Sequence, residues 1–262
     1  MGYELNRVCP GVTHIRDAMG VCMTLIEGAR SALLVDTGYG TEDVAAFVRT
    51  LTDKPLTVLL THHHHDHAMG ARWFEQTLMF PEDMAEWPVF TGEAKRRAVL
   101  GQAIGKGLTV TEDDFLAGEC RMPLPMSEGA YDLGGMVVRV LPCPGHTPGS
   151  CVVYVPERRL LLTGDDWNPC TWLFFEAALP VRQYRENVRK LLALDFTHVL
   201  CSHQLECFPR SKFERFLQGL TDETLEAATP VAIGGYEHIS TRQADVAPGQ
   251  ILVFDWNKYK EA

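Results

Sequence analysis

Three features of this sequence predict an α/β fold: short apolar runs of strand length, helical stretches alternating with them, and a histidine or aspartate directly after four of the predicted strands. The 262 residues are a length that one large α/β domain commonly reaches, so residues 1–262 read as a single domain. A hydrophobic fraction of 46% and a charged fraction of 22% supply a sizeable core and exclude disordered and fibrous classes.

The elements follow in order. Val12–Arg16, Cys22–Glu27 and Ser31–Thr37 read as a meander of strands turned by Gly20 and Gly28-Ala29-Arg30. Thr41 is placed to cap a helix over Glu42–Leu51, whose Val44, Ala45, Val48 and Leu51 recur at helical spacing. Thr57–Thr61 is a short apolar run of buried-strand type. Residues 81–125 are irregular, with a helix expected over Glu93–Ile104, and read as a lid-like insertion over one face. Strands return at Met136–Leu141, Ser150–Val155 and Arg159–Thr163; a helix over Gln183–Leu194 precedes a strand at His198–Ser202. A C-terminal extension, residues 211–262, carries one or two helices to Ala228 and closes on a strand at Ile251–Asp255.

Composition narrows the function. A net charge of −10 without a concentrated basic patch opposes binding to RNA or DNA, and Lys95-Arg96-Arg97 reads as a solvated helix face. No stretch reaches the roughly 18 apolar residues of a membrane span, and Met1–Val12 has no signal-peptide core. Neither a membrane nor a nucleic-acid partner is expected; a small-molecule substrate is. The eight cysteines contain no C-x-x-C pair, and Cys143 and Cys201, near candidate ligands, read as packing residues; a cytoplasmic location fits.

Chemistry concentrates at His62-His63-His64-His65-Asp66-His67, directly after the Thr57–Thr61 strand. In extended backbone the side chains of His62, His64 and Asp66 share one side, whereas His63 and His65 point away as supporting residues. A turn at Asp66-His67 would return His67 to the same cleft. His146, Asp165 and His203 each follow a predicted strand in the same manner, and ligands gather beyond the carboxyl ends of such strands. Imidazole-rich sets suit Zn²⁺, and also Fe or Mn, and seven candidates divide naturally over two ions. A histidine tract that binds metal without catalysis usually lies in a tail, not between a strand and a helix.

The segment THHHHDHAMG resembles the H-x-H-x-D-H signature of the metallo-β-lactamase superfamily. The likeness extends to Asp36-Thr37-Gly38, Pro144–Ser150, Leu162–Asp165 and Ser202-His203, in the family's order. It implies a four-layer αβ/βα sandwich with the metal site at one edge of two central sheets. By position it implies that His62, His64 and His146 hold one metal, that Asp66, His67 and His203 hold the other, and that Asp165 bridges them around a nucleophilic hydroxide. Asp66 is also the carboxylate assigned to catalysis. Asp166 is the rival for the bridge, and Asp36 orders the cleft from behind.

Other aromatic and imidazole groups are weighed against plain packing. Trp167 and Trp172 read equally as core and as pocket wall. His238, in a Gly-rich turn, is a candidate for reaching the cleft, whereas His14 and His198 read as packing or surface residues. Trp87, Phe90, Met122 and Met126 are expected to give the lid an apolar face.

The resemblance implies hydrolysis, and a bridging aspartate points to relatives that cleave thioesters, lactones or phosphoesters. A small ester, thioester or lactone is the expected substrate. The alternatives are a small phosphoester, a mononuclear iron persulfide dioxygenase, and a non-catalytic metal-binding or ligand-sensing module.

Overall fold

In the computed structural model, which describes residues 2–261, the chain builds two large sheets and one small one. The first sheet runs in sequence order through β1 (Glu4–Cys9), β2 (Val12–Arg16), β3 (Cys22–Glu27), β4 (Ala32–Val35), β5 (Leu56–Leu59), β6 (Leu78–Met79) and β7 (Leu124–Pro125). β1 to β4 are antiparallel neighbours, and β4 to β7 are parallel.

The second sheet is built from β8 (Gly129–Asp132), β9 (Val137–Pro142), β10 (Cys151–Val155) and β11 (Leu160–Leu162). Past β12 (Cys170–Leu173), it gains β13 (His198–Leu200) and β14 (Phe208–Pro209), with order β14-β13-β11-β10-β9-β8. β15 (Thr229–Pro230), β16 (Thr241–Ala247) and β17 (Gln250–Asp255) join β12 in the small sheet.

Strand alternation creates the layers. Leu33 and Val35 of β4 meet Val153 and Val155 of β10 in the core between the two large sheets, together with Leu59, Leu162 and Leu200. On the other face of the first sheet, Leu34 and Val58 pack against Val44 and Val48 of the helix Val44–Arg49. On the far face of the second, Val152 and Tyr154 pack with residues of the helices Val181–Lys190 and Arg210–Gly219. Helix, sheet, sheet and helix thus form the expected four-layer αβ/βα sandwich. Each large apolar side chain so enclosed contributes about 1.5–3 kcal/mol.

Several details differ from the sequence reading. The first helix is capped by Asp43, not Thr41, because the Asp43 carboxylate accepts the Ala46 N–H at 2.8 Å while Thr41 and Glu42 stay outside the helix. β1 was not anticipated: it is a polar edge strand, with Glu4, Leu5 and Arg7 exposed, and lacks the alternation of a half-buried one. β8, β12 and β16 were also missed, and β17 does not close the chain, since the helix Trp256–Glu261 follows.

His14, read as a packing residue, joins strands to a functional loop. Buried on β2, it places Nδ1 2.8 Å from Thr24 Oγ1 and Nε2 3.1 Å from the Gln204 carbonyl, next to His203. Burial pulls its pKa down from 6.5 to about 4. Between those values the unfolded chain binds a proton that the folded one refuses, so stability is complete above about 6.5 and falls as the pH drops toward about 4. Urea unfolding at pH 7 and pH 5 should show His14→Asn losing less stability over that interval than the wild type, by on the order of 1–2 kcal/mol. Equal losses would remove His14 as the cause.

Candidate metal centre

β5 ends at Leu59, residues 61–64 leave it without regular structure, and the helix His65–Ala68 starts at once. The parity expectation therefore holds for His62 and His64 only. Asp66 reaches the cleft by a helical turn, as does His67, whose N–H bonds to the His64 carbonyl at 3.0 Å. His146 lies in the loop between β9 and β10, Asp165 just past β11, and His203 just past β13. Four strand ends converge on one cleft.

The seven side chains form two groups. One nitrogen each from His62, His64 and His146 lie within 4.8 Å of one another, and so do one atom each from Asp66, His67, Asp165 and His203. Asp165 Oδ2 faces both: it is 3.0 Å from His203 Nε2, 3.4 Å from His67 Nε2 and 3.6 Å from His146 Nε2. Asp66 Oδ2 stands 3.4 Å from His67 Nε2 and 3.7 Å from His203 Nε2. Asp166 points elsewhere, its Oδ1 accepting the His146 N–H at 3.1 Å.

The rear nitrogens are held from behind. His67 Nδ1 lies 3.0 Å from Asp36 Oδ2. The Thr61 hydroxyl donates to Asp36, leaving its oxygen to accept from His62 Nδ1 at 3.1 Å. His146 Nδ1 donates to the Trp172 carbonyl at 2.7 Å. With Nδ1 engaged, each of these rings turns Nε2 toward the cleft.

These residues fit divalent metals. Nε2 of His62, His64 and His67 and Oδ1 of Asp165 are buried without a hydrogen-bond partner, a condition that is costly unless another ligand satisfies them. Burial and neighbouring imidazoles hold His62 and His64 well below the usual histidine range, in the neutral form a metal requires. For Asp165 burial pushes upward, but His203 and His67 outweigh it and keep the carboxyl well below its usual range. Burial likewise pulls His67 down, and Asp165, Asp66 and Asp36 overcome it.

Sequence reasoning missed Asp83, which lies within the segment expected to form a lid. It is fully buried; Oδ1 accepts the Gly149 N–H at 2.7 Å, and Oδ2 accepts the Thr147 hydroxyl at 2.7 Å and the His63 N–H at 3.1 Å. His63 Nδ1 is 2.9 Å from the same oxygen. One carboxylate therefore ties the His62–His67 segment to the loop that carries His146. An aspartate in an irregular stretch gives no sequence signal of this.

A cavity of about 420 Å³ opens on the two groups. Phe90, Trp172, Phe175 and Tyr236 supply its aromatic walls, and Tyr39, Gln102, Asn168 and Gln204 supply polar tips. Trp172 is thus a wall residue. Trp167 is not: fully buried, it packs edge-on against Phe208 and Phe213 in the core behind the second sheet. His238 does not line the cavity either. It is 62% exposed and sits 3.4 Å from Glu176, while Tyr236 of the same turn makes the approach. Of the aromatic and methionine residues expected on the lid, only Phe90 reaches the cavity. Trp87 and Met126 are buried in cores, and Met122 faces solvent.

The family model for the metallo-beta-lactamase superfamily matches residues 17–119 and 127–203, which include all seven residues of the two groups. The chain belongs to that superfamily. It is similar to a hydroxyacylglutathione hydrolase of Nitrosomonas europaea, 23% identical over 225 residues, or 85% of this chain and 74% of that one. Among solved structures it resembles the metallo-beta-lactamase FIM-1 from Pseudomonas aeruginosa in a mono-zinc form, at TM-score 0.59 and 19% identity over 82% of this chain and 92% of that one. It also resembles the sec-alkylsulfatase Pisa1 from a Pseudomonas species, at TM-score 0.63 and 17% identity over 82% of this chain, but spans only 40% of that protein's length. As a member of the metallo-beta-lactamase superfamily with this cluster, the chain is a metal-dependent hydrolase.

Asp83→Ala should leave buried donors in both ligand-bearing segments unsatisfied, lowering stability by about 3–5 kcal/mol in urea unfolding. It should also weaken zinc binding roughly tenfold or more in competition with a chromophoric chelator. Unchanged zinc affinity would show that the His146 loop holds its place without Asp83.

Proposed function

We propose that the protein hydrolyses a small acyl substrate, an ester, thioester or lactone, at two divalent transition-metal ions. The observation that carries this reading is the cavity: aromatic walls lead directly to the seven-residue cluster, and no lysine or arginine lines it among the described residues. Such a chamber favours a carbonyl attached to a hydrocarbon or ring. Together with the net charge of −10, it disfavours nucleic acid as substrate or partner.

His62, His64 and His146 would hold one ion and Asp66, His67 and His203 the other, with Asp165 shared between them. The predominance of imidazole favours zinc. When bound, the ions lower the pKa of a water and polarise the scissile carbonyl. The protein's own groups do the rest. Asp66 borders the cavity, and although burial pushes its pKa up, His67 leads the histidines that hold it well below the usual carboxylate range. Held ionised, it would accept a hydrogen bond from the attacking water and orient it toward the carbonyl. Tyr39, its phenol pushed well above the usual tyrosine range by burial, stays protonated beside the cleft as a hydrogen-bond donor. Phe90, Trp172 and Phe175 exclude bulk water, with the segment around Phe90 acting as a lid over a single domain. We read the compartment as cytoplasmic, a reading supported by the burial of Cys22, Cys143, Cys151 and Cys201 as free thiols.

Protein purified without chelator should carry close to two zinc, iron or manganese ions per chain by elemental analysis. Saturation at one, with Asp66 and His67 metal-free in a crystal structure, would favour the mononuclear dioxygenase alternative. Metal-loaded enzyme should turn over p-nitrophenyl esters, thioesters or lactones with higher kcat/KM than bis-p-nitrophenyl phosphate or RNA; the reverse order sinks the acyl reading.

Asp165→Asn should abolish most activity and weaken metal binding, because an amide cannot bridge two cations. Asp166→Asn, which keeps an acceptor for the His146 N–H, should be much milder. A reversal of the two phenotypes would reassign the bridge.

A further inference from the structure

The C-terminal helix Trp256–Glu261 reaches back about 80 residues in sequence to the cavity wall. Its Lys258 ammonium donates to three carbonyls of one turn: Phe175 at 2.9 Å, Glu176 at 2.6 Å and Ala178 at 2.8 Å. Three donors meeting three acceptors uses the full capacity of an ammonium group. The other backbone bonds of the turn are the Ala178 N–H to the Phe175 carbonyl and the Leu179 N–H to the Gly145 carbonyl, both 2.9 Å, and its Glu176 side chain meets the exposed His238, at 3.4 Å.

The turn carries one of the rings that line the cavity beside the cluster. Phe175 sits with its centroid 4.6 Å from that of His64 and 5.2 Å from that of His146, and packs edge-on against Tyr236 at 5.5 Å. A shift of the 175–178 backbone would therefore move the ring that packs between the His64 and His146 imidazoles and Tyr236, and with it the cavity wall. Lys258 does not line the cavity. Its hold on the substrate can only be indirect.

We propose that Lys258 is a positioning residue for the acyl group: by clamping the 175–178 turn it fixes Phe175, so that the C-terminal helix sets the selectivity for bulky, uncharged acyl groups. The inference rests on the reading of the site as an acyl hydrolase. A medium-chain or aryl acyl group would run along the wall formed by Phe175, Trp172 and Tyr236 and depend on where those rings stand, whereas an acetyl group would make far less contact with that wall. Loss of the clamp should then act on the bulky substrates and leave small ones comparatively unaffected.

The test compares wild type with Lys258→Met and Lys258→Arg, metal-loaded, on p-nitrophenyl acetate, octanoate and phenylacetate. For Lys258→Met, kcat/KM on octanoate and phenylacetate should fall roughly tenfold, chiefly through KM, with a much smaller fall on acetate. Lys258→Arg, which keeps the charge and the donors, should recover part of the loss. Amide hydrogen exchange over residues 174–179 should accelerate in Lys258→Met. Should that variant fold poorly by circular dichroism, Lys258→Gln replaces it. Adding the lysine change to Phe175→Ala should cost little further selectivity, since both act through one ring.

An equal fall on all three esters, or unchanged exchange at 174–179, would overturn the proposal. If the wild type hydrolyses none of the esters, the ester reading of the substrate fails on its own. Calorimetric binding of octanoate then decides the role of Lys258, weaker binding in Lys258→Met supporting it and unchanged binding refuting it.

Discussion

Everything in this protein depends on keeping imidazoles and carboxylates crowded together in a buried cleft, where each would separately prefer water. Desolvation alone disfavours every charge in the cluster, and the histidines of the first group respond by staying neutral. The second group responds by pairing, with His67 and His203 against Asp66 and Asp165. Asp36 stands behind both: its Oδ1 accepts the Thr61 N–H at 2.7 Å and its Oδ2 faces His67 Nδ1 at 3.0 Å. To reach that position it adopts a left-handed backbone, with φ 64, a conformation that costs a non-glycine residue on the order of 1–3 kcal/mol. The hydrogen bonds to two ligand-bearing segments are what hold it there.

The site is divided between the two large sheets. β5 of the first leads into His62, His64, Asp66 and His67, while β9, β11 and β13 of the second lead into His146, Asp165 and His203. The aliphatic core between the sheets therefore fixes the distance between the two halves of the cluster, and a shift of one sheet against the other would separate Asp165 from His67. Close contacts reinforce the alignment. A Cβ at Gly70 would lie 2.0 Å from the Thr37 carbonyl, so the helix after the histidine motif can pack against the Asp36 turn only with glycine at that position.

Chemistry and selectivity come from different parts of the chain. The candidate metal-binding residues sit at or just past strand ends of the sandwich. The walls come from the helical segment around Phe90 and Gln102, the small sheet at Trp172, and the late turn at Tyr236. This separation lets the walls vary without disturbing the seven-residue cluster, whose rear nitrogens are anchored to Asp36, Thr61 and a backbone carbonyl.

The sequence by itself determined the α/β class, most of the strands of the two large sheets, and the seven residues that meet in the cleft. Each of these is encoded locally: apolar alternation marks a strand, and a histidine or aspartate at its end marks a contributor to the crevice. Locality also explains the errors. Parity works only while the backbone is extended, so it described His62 and His64 but not Asp66, which a helical turn delivers. Trp167 and Trp172 look alike in sequence, yet one faces Phe208 and Phe213 in the core and the other the cavity, because β12 pairs with β17 some 80 residues later. Only the tertiary structure could join Asp83 to His63 and Gly149, bring Tyr236 rather than His238 to the cleft, and set Lys258 on the Phe175 turn. Those contacts are fixed by packing between distant segments, and no periodicity within any one segment records them.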